Sequence, residues 1–487
     1  MSFNRIGLAV LGASALFGCS SAPSYKTPEV PAPSAYKGDT AIWQPAQPAD
    51  GRPRGDWWRA YNDATLNDLV SRLDKANADL AVALAHFDQA TAFADQARAS
   101  YYPTVSAGAY VTHNKQSATR PLRSSTQPTY YSDSFAGVSA SYEVDLWGHV
   151  RNQVDAGEAG AQAAAAEFES VHLSLRAELV NDYLALRMLD AQSKLMESEI
   201  EAYAKALELT VNRFQGGIDS GLDVSRARAQ LETAQAKLAD ITASRAIYEH
   251  AIATLVGESA SAFSIAPAVV DIQLPAVPIG MPSTLLQRRP DIAAAERRLA
   301  EANARIGVAK AAYFPAVNLA AAGGYETSAN ADWLTAPNLF WSVGPNVLLT
   351  IFDAGRRKAV VAQAEASFNV AGAQYRSTVL HAFQEVEDNL SLLSSLTEES
   401  TSLNEAIADS RHALDIAMNR YREGLASYLE VVTAQTAEQQ VQLDELNLRR
   451  RRLQASVNLI RALGGGWDQA HAQAPDDTQA KGEAAAH

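Results

Sequence analysis

The chain repeats itself over most of its length, and that repetition limits the possible folds more than any composition figure. Val211-Asn212-Arg213-Phe214 recurs as Met418-Asn419-Arg420-Tyr421, Gly217 as Gly424, and Leu222-Asp223-Val224 as Leu429-Glu430-Val431. Gly148 corresponds to Gly355, and Leu255-Val256-Gly257 to Leu463-Gly464-Gly465 with a one-residue ambiguity. Most pairs share one offset, so the segments between them have equal length in both halves. Tyr101-Tyr102-Pro103 answers Tyr313-Phe314-Pro315 at a slightly different spacing, as a variable intervening loop would cause. The pattern implies two copies of one rod-like unit.

Each unit reads as helix, strand pair, long helix, turn, helix. Leu66 to Ser100 is Ala-rich and predicted to be one helix, ended by Pro103. Val138, Ala140, Tyr142, Val144 and Leu146 alternate with polar residues, the period-two mark of a strand. Val105 to Val111 is its weaker partner, with a Ser/Thr/Tyr/Pro-rich loop from about Lys115 to Asp133 between them. In the second unit Val317, Leu319 and Ala321 alternate, as do Trp341, Val343, Val347, Leu349 and Ile351, with Pro345 interrupting. Arg151 to Arg213 and Arg356 to Arg420 hold no proline and predict unusually long helices. After them Val224, Leu231 and Leu238 step by seven, as do Ala234, Ile241, Tyr248 and Leu255, an a/d-like stripe. Four strands from one chain leave two raw edges. On pattern alone they suit a soluble sheet packed on helices as well as a membrane barrel closed by pooling strands from several copies.

The N-terminus points out of the cytoplasm. Arg5, the apolar stretch Ile6 to Phe17 and the run Leu16-Phe17-Gly18-Cys19 form a short secretory leader ending at the only cysteine. The run resembles a bacterial lipobox, which implies a lipid on Cys19 and a mature chain that is anchored rather than threaded. Ser20 stands where such lipoproteins keep Asp for inner-membrane retention, which implies the outer membrane. No later segment is long and apolar enough to span as a helix.

Other function classes find little support. The net charge of -14, from 41 basic and 55 acidic residues, argues against nucleic acid. The nine histidines show no metal-like spacing, and Gly323-Gly324 and Gly464-Gly465-Gly466 lack the context of a phosphate loop. Glu385 and Glu387 sit on a polar helix face where solvated charge is the simpler reading than acid-base chemistry. No enzyme is expected, and no cofactor beyond the lipid.

Further stretches complete a pattern. These are Asp56-Trp57-Trp58, Tyr142-Glu143-Val144-Asp145-Leu146-Trp147-Gly148, Arg288-Arg289-Pro290-Asp291-Ile292, Asn303-Ala304-Arg305-Ile306-Gly307, Val343-Gly344-Pro345, Ile351-Phe352-Asp353-Ala354-Gly355-Arg356 and Tyr421-Arg422-Glu423-Gly424. With Tyr313-Phe314-Pro315 they resemble the TolC-type outer-membrane efflux proteins, in the NodT-type lipoprotein branch that serves resistance-nodulation-division pumps. The resemblance runs from about Trp57 to Gly465. It implies a mainly α fold with β in a homotrimer. Each protomer would give four strands to a twelve-stranded outer-membrane barrel, continued by a periplasmic α-helical barrel. It also implies an exit duct for drugs or other small toxic compounds, working with a periplasmic adaptor protein and a proton-driven inner-membrane pump. A duct for type I protein secretion or metal export is the alternative, and a lipid-anchored coiled-coil tether without a pore comes after it. The expected divisions are 1–18 signal, 19–62 anchored extension, 63–274 and 275–466 the two repeats, and 467–487 a disordered tail.

By the same resemblance the two helical turns form the periplasmic tip. Gly217, Gly221, Gly424 and Ser427 would meet the adaptor, the glycines supplying tight turns and positive φ. Tyr421 matches a tyrosine that ties neighbouring helices shut, Asp223 an acid lining the entrance, and Leu429 a leucine of an apolar ring beside Glu430. Leu222 is the counterpart of Leu429. Ala426 and Thr433 depart from relatives that carry an arginine and an aspartate there, so their salt-bridge latch is not expected. Tyr421 hydrogen bonds and the Leu429 ring are expected to close the entrance, with Asp223 and Glu430 favouring cations.

Overall fold

The computed structural model of the chain describes residues 22–27, 55–121, 124, 126–275, 288–328 and 333–465. The leader 1–18, Cys19, most of the N-terminal extension and the tail 467–487 lie outside the described residues. After a short 3-10 helix, Trp57–Tyr61, come helices α1 (Ala64–Ala76) and α2 (Ala78–Ala99) and strands β1 (Thr104–Lys115) and β2 (Tyr130–Glu143). Helices α3 (His149–Gln215), α4 (Gly221–Leu255) and α5 (Pro290–Ala311) follow, then β3 (Ala316–Thr327), β4 (Leu339–Leu348), α6 (Arg356–Arg422) and α7 (Tyr428–Ala462). Helices α3 and α6 have 67 residues each, and α4 and α7 have 35 each. At 1.5 Å per residue each long helix rises about 100 Å along its own axis. No helix among the described residues is long and apolar enough to cross a membrane.

The single helix expected over Leu66 to Ser100 is broken at Asn77. Its backbone is extended, at φ -67° and ψ 127°. Its side chain accepts from Leu80 N (2.8 Å), as an N-cap does, and donates to Leu255 O (2.8 Å). Chain contacts divide the protein into two compact units. One comprises 22–27 and the described parts of His86–Ala165 and Ala294–Arg376; the other comprises the described parts of 30–85, 166–293 and 377–487.

The first unit holds a four-stranded antiparallel sheet in the order β1-β2-β3-β4. All four strands begin or end beyond the expected limits: β1 and β2 consume both ends of the predicted loop, and β2 stops at Glu143 rather than Leu146. That early stop has a cause. Asp145 turns to accept from Val150 N (3.1 Å) and Arg151 N (2.9 Å), capping α3, while Trp147 Nε1 donates to Pro315 O (2.9 Å). Pro345 lies inside β4, opposite Leu319, in the last strand of the chain's own sheet.

Directly paired residues share a face, so the register sorts the sheet into two surfaces. One face carries the rows Val105-Ala140-Ala321-Val343, Ala107-Val138-Gly323-Trp341 and Ala109-Ala136-Tyr325-Leu339. The other carries Ser106-Ser139-Ala322-Ser342 and Gly108-Gly137-Gly324-Phe340. Trp341 and Val343 on the first face are 75% and 72% exposed, so among the described residues nothing covers it there. In the same unit, residues 22–27 run along α5. Tyr25 Oη donates to Glu296 Oε1 (2.6 Å) and Asn303 Nδ2 to Pro23 O (3.0 Å).

The second unit is a helical pack. Trp57, Trp58, Leu66 and Leu73 bury against Leu179 and Tyr183 of α3, Ile252 of α4 and Val457 of α7. The heptad stripe of α4 packs as its spacing requires, with Leu231, Leu238 and Ile241 around Met196 and Tyr203. Its buried charges are paired, as buried charges must be. Asp190 accepts from Arg187 Nη1 (2.9 Å), Arg245 Nε (2.6 Å) and Ala268 N (3.0 Å), strapping the segment after α4 to the helices. Arg289 donates to both oxygens of Asp291 (3.0 and 2.6 Å) and to Glu385 Oε2 (2.7 Å) and Ala462 O (3.1 Å). The Arg288-to-Ile292 stretch is therefore a structural clamp on the end of α7.

Candidate functional site

The two turns joining the long helices to the short ones are built alike. In the first, Gly217 has φ +76°, its N–H donates to Phe214 O (3.0 Å), and Ile218 N donates to Arg213 O (2.9 Å). In the second, Gly424 has φ +77°, donating to Tyr421 O (3.0 Å), and Leu425 N donates to Arg420 O (2.8 Å). This six-to-one plus five-to-two bonding is the Schellman closure, which needs a left-handed residue and so favours glycine. Gly221 differs from the expectation of positive φ. It is the first residue of α4 and does not share that backbone region, because the turn has already been closed at Gly217. The ring of Phe214 passes 3.8 Å from where a Cβ on Gly221 would stand.

After the turns the halves diverge. Ser220 and Asp223 form a reciprocal capping box: Ser220 Oγ accepts from Asp223 N (3.3 Å), and Asp223 Oδ2 accepts from Ser220 N (3.3 Å). Asp223 Oδ1 also lies 3.5 Å from Arg226 Nη1, so this carboxylate is engaged at its own helix start. Ser427 occupies the equivalent N-cap of α7 without a side-chain cap bond. Glu430 lies 3.6 Å from Arg420, an exposed pair of small energetic weight. Leu222 and Leu429 are 59% and 48% exposed, and Leu425 is exposed too.

Tyr421 is the centre of a buried cluster. Its hydroxyl donates to Asp219 Oδ2 at 2.5 Å and lies 3.1 Å from Thr210 Oγ1. Arg213 Nε donates to the same Asp219 oxygen (3.0 Å), Arg213 Nη1 donates to Tyr421 O (3.2 Å), and the guanidinium stacks 4.6 Å from the Tyr421 ring centre. The Tyr428 ring packs 5.5 Å away, and Ala206, Ala227 and Val431 enclose the group. Burial and the bond to Asp219 push the Tyr421 phenol up to about 12, so it keeps its proton and stays a donor at neutral pH. The cluster joins α3, the first turn and α6 of one chain by a charge-assisted bond shielded from water.

Of the residues expected at the gate, Tyr421 enters this cluster, while Asp223, Glu430, Leu222 and Leu429 stand outside it. Asp219, Thr210 and Tyr428 were not singled out by the sequence, and Arg213 entered only as part of the repeat. Their signal lies in broken repeat symmetry: where one half has Phe214 and Asp219, the other has Tyr421 and Ala426. Among the described residues no group of histidine, cysteine and carboxylate side chains could hold a metal ion.

Comparison with known proteins agrees with this architecture. The family model described as outer membrane efflux protein matches residues 69–258 and 281–465. The toluene efflux pump outer membrane protein TtgC of Pseudomonas putida is 32% identical over 97% of this chain and 98% of its own length. The antibiotic efflux pump outer membrane protein ArpC, also of Pseudomonas putida, is 32% identical, with the same coverage. Among solved structures, the outer-membrane channel OprN superposes with a TM-score of 0.84 at 31% identity, covering 92% of this chain and all of that one. The chain belongs to the outer membrane efflux protein family.

Proposed function

We propose that this chain is one protomer of a homotrimeric exit duct in the outer membrane, the last component of a tripartite efflux pump. The observation that carries the reading is the sheet. Its strands have 10 to 14 residues, long enough to cross a bilayer when tilted. Among the described residues one face is apolar and uncovered, and β1 and β4 are edges without partners. Three copies close such edges into twelve strands, and closure is what lipid demands of any sheet. The matched lengths of α3 with α6 and α4 with α7 support two repeats, 63–274 and 275–466, that together line a periplasmic helical tunnel.

Relatives named for toluene and antibiotic efflux support a cargo of small apolar or drug-like compounds. The duct has no nucleotide motif, so an inner-membrane proton-driven pump supplies the energy and a periplasmic adaptor joins the two. The protein is no enzyme and uses no cofactor; its one modification is the lipid on Cys19. The turns make the periplasmic entrance, with Gly217, Gly221, Gly424 and Ser427 meeting the adaptor. Tyr421, held by Asp219, is the latch, while Leu222 and Leu429 narrow the mouth and Asp223 and Glu430 give it negative charge. Purified full-length protein in planar bilayers tests this reading. Discrete, cation-favouring pores are expected; stable trimers that never conduct would overturn it.

A further inference from the structure

The geometry points to a binding subsite for aromatic organic cations on the inner wall of the barrel, built from Tyr110, Phe135 and Phe340 with Asp133 and Glu326. It rests on the duct reading, since that reading makes the second face of the sheet the wall of a water-filled passage.

On that face three rings gather. Tyr110 and Phe135, directly paired across β1 and β2, stack with centres 5.1 Å apart and planes 13° apart. Phe340 of β4 lies 5.7 Å from Phe135. They meet because the row next to Tyr110 and Phe135, which Phe340 ends, is otherwise Gly108, Gly137 and Gly324. A Cβ on Gly137 would stand 2.9 Å from the Phe135 ring, and one on Gly324 only 2.3 Å from Ala136 O. Three adjacent glycines leave a bare patch of backbone, and the Phe135 ring leans over it at Gly137.

Charge completes the site. Asp133 Oδ2 accepts from Tyr110 Oη (3.3 Å), and Glu326 is exposed directly opposite Phe135. No lysine or arginine lies on this face of β1 to β4: its other charged residue is Glu143, which pairs with His149. The interior of a water-filled barrel is ordinarily polar, so clustered rings there require another reason. A π face rimmed by carboxylates attracts a cation twice, through the ring quadrupole and through charge, and it prefers one that is itself flat and apolar. An aliphatic cation of equal charge gains the second attraction only. Shielding the glycine backbone is the competing role for these rings, and it predicts no preference among cations.

The test is blockade of the reconstituted trimer's current by N-methylquinolinium, against tetramethylammonium as a cation without rings. In the wild type the quinolinium is expected to block at a concentration about fivefold or more below that of tetramethylammonium, the scale of one or two cation–π contacts. Phe135→Leu with Phe340→Leu should abolish that ratio while leaving the open conductance, and Asp133→Asn with Glu326→Gln should weaken both blockers alike. Should the double ring variant fail to assemble, Phe340→Leu alone should reduce the ratio. A wild-type ratio near one, or a ratio unchanged in conducting ring variants, overturns the subsite and leaves the duct intact. Trimers without any current overturn the duct reading itself.

Discussion

Asp219 shows how one residue can carry more of a site than its sequence context suggests. Its Oδ2 receives both the Tyr421 hydroxyl and Arg213 Nε in a pocket closed by apolar side chains. A charge-assisted bond of this kind contributes about 1.5–3 kcal/mol, more than an exposed ion pair such as Arg420 with Glu430. Asp219→Asn and Tyr421→Phe should therefore each raise the channel's open probability about tenfold, the equivalent of about 1.4 kcal/mol. Together they should add little to either alone, because both remove the same bond. Asp223→Asn should open the channel far less, since that carboxylate caps its own helix. Single-channel recording of the four proteins decides this; an Asp223 variant that opens more readily than the Asp219 variant would show that the acid lining the entrance, not the Asp219 bond, holds it shut. Reading the chain one half at a time conceals Asp219. Compared with its repeat partner Ala426 it is conspicuous, because a polar residue in one copy only marks a contact the other copy does not make.

At the scale of elements, the long helices were legible and the breaks between shorter ones were not. The absence of proline and the shared offset define α3 and α6, whereas the break at Asn77 is hidden by alanine-rich flanks of high helix propensity on both sides. What decides it is tertiary: the Asn77 amide reaches Leu255 O, a bond that a continuous helix would not orient. The same element shows how α1 is held. Asp74 accepts from His172 Nε2 (2.8 Å) and from Arg176 Nε and Nη2 (2.9 and 2.6 Å), and Arg176 stacks 4.7 Å from the Trp58 ring. Burial pushes the Asp74 carboxyl up, but the bonds from His172 and Arg176 outweigh it and hold it down at about 2. A carboxyl so depressed stabilises the fold fully above its unfolded value near 4, and that contribution fades as pH falls through about 2. Asp74→Asn should cost on the order of 1 kcal/mol at pH 7, a figure lowered for the partly open surroundings. Chemical unfolding followed across pH should show the gap between variant and wild type narrowing below about pH 4 and closing near pH 2; a gap independent of pH would mean that packing, not charge, holds the element.

For the molecule as a whole, the alternation that marked the strands also tells which side of the sheet meets lipid, but only once the register is known. The strand pattern by itself left a soluble sheet and a membrane barrel equally open, and only the family resemblance favoured the barrel, because period two gives an apolar face without saying what covers it. Among the described residues the structure leaves that face bare, with Val343 and Trp341 among its most exposed residues, and aligns it so that the three rows from Val105 to Ala109 carry no charge, with Lys115 at the far end of the face. Neighbouring residues of β4 then separate the two environments. Val343→Arg places a guanidinium in the apolar band and should cost about 2–4 kcal/mol of folding in lipid if it falls near the midplane. Ser342→Arg, one residue away, points to the opposite face, where water solvates it. It should insert normally and instead reduce cation conductance by adding positive charge to the wall. Folding into vesicles of defined thickness, followed by heat-modifiable mobility on gels, measures the first effect, and bilayer current the second. Equal folding defects in both variants would show that the two faces meet the same medium, which no closed membrane barrel allows, and would restore the soluble sheet.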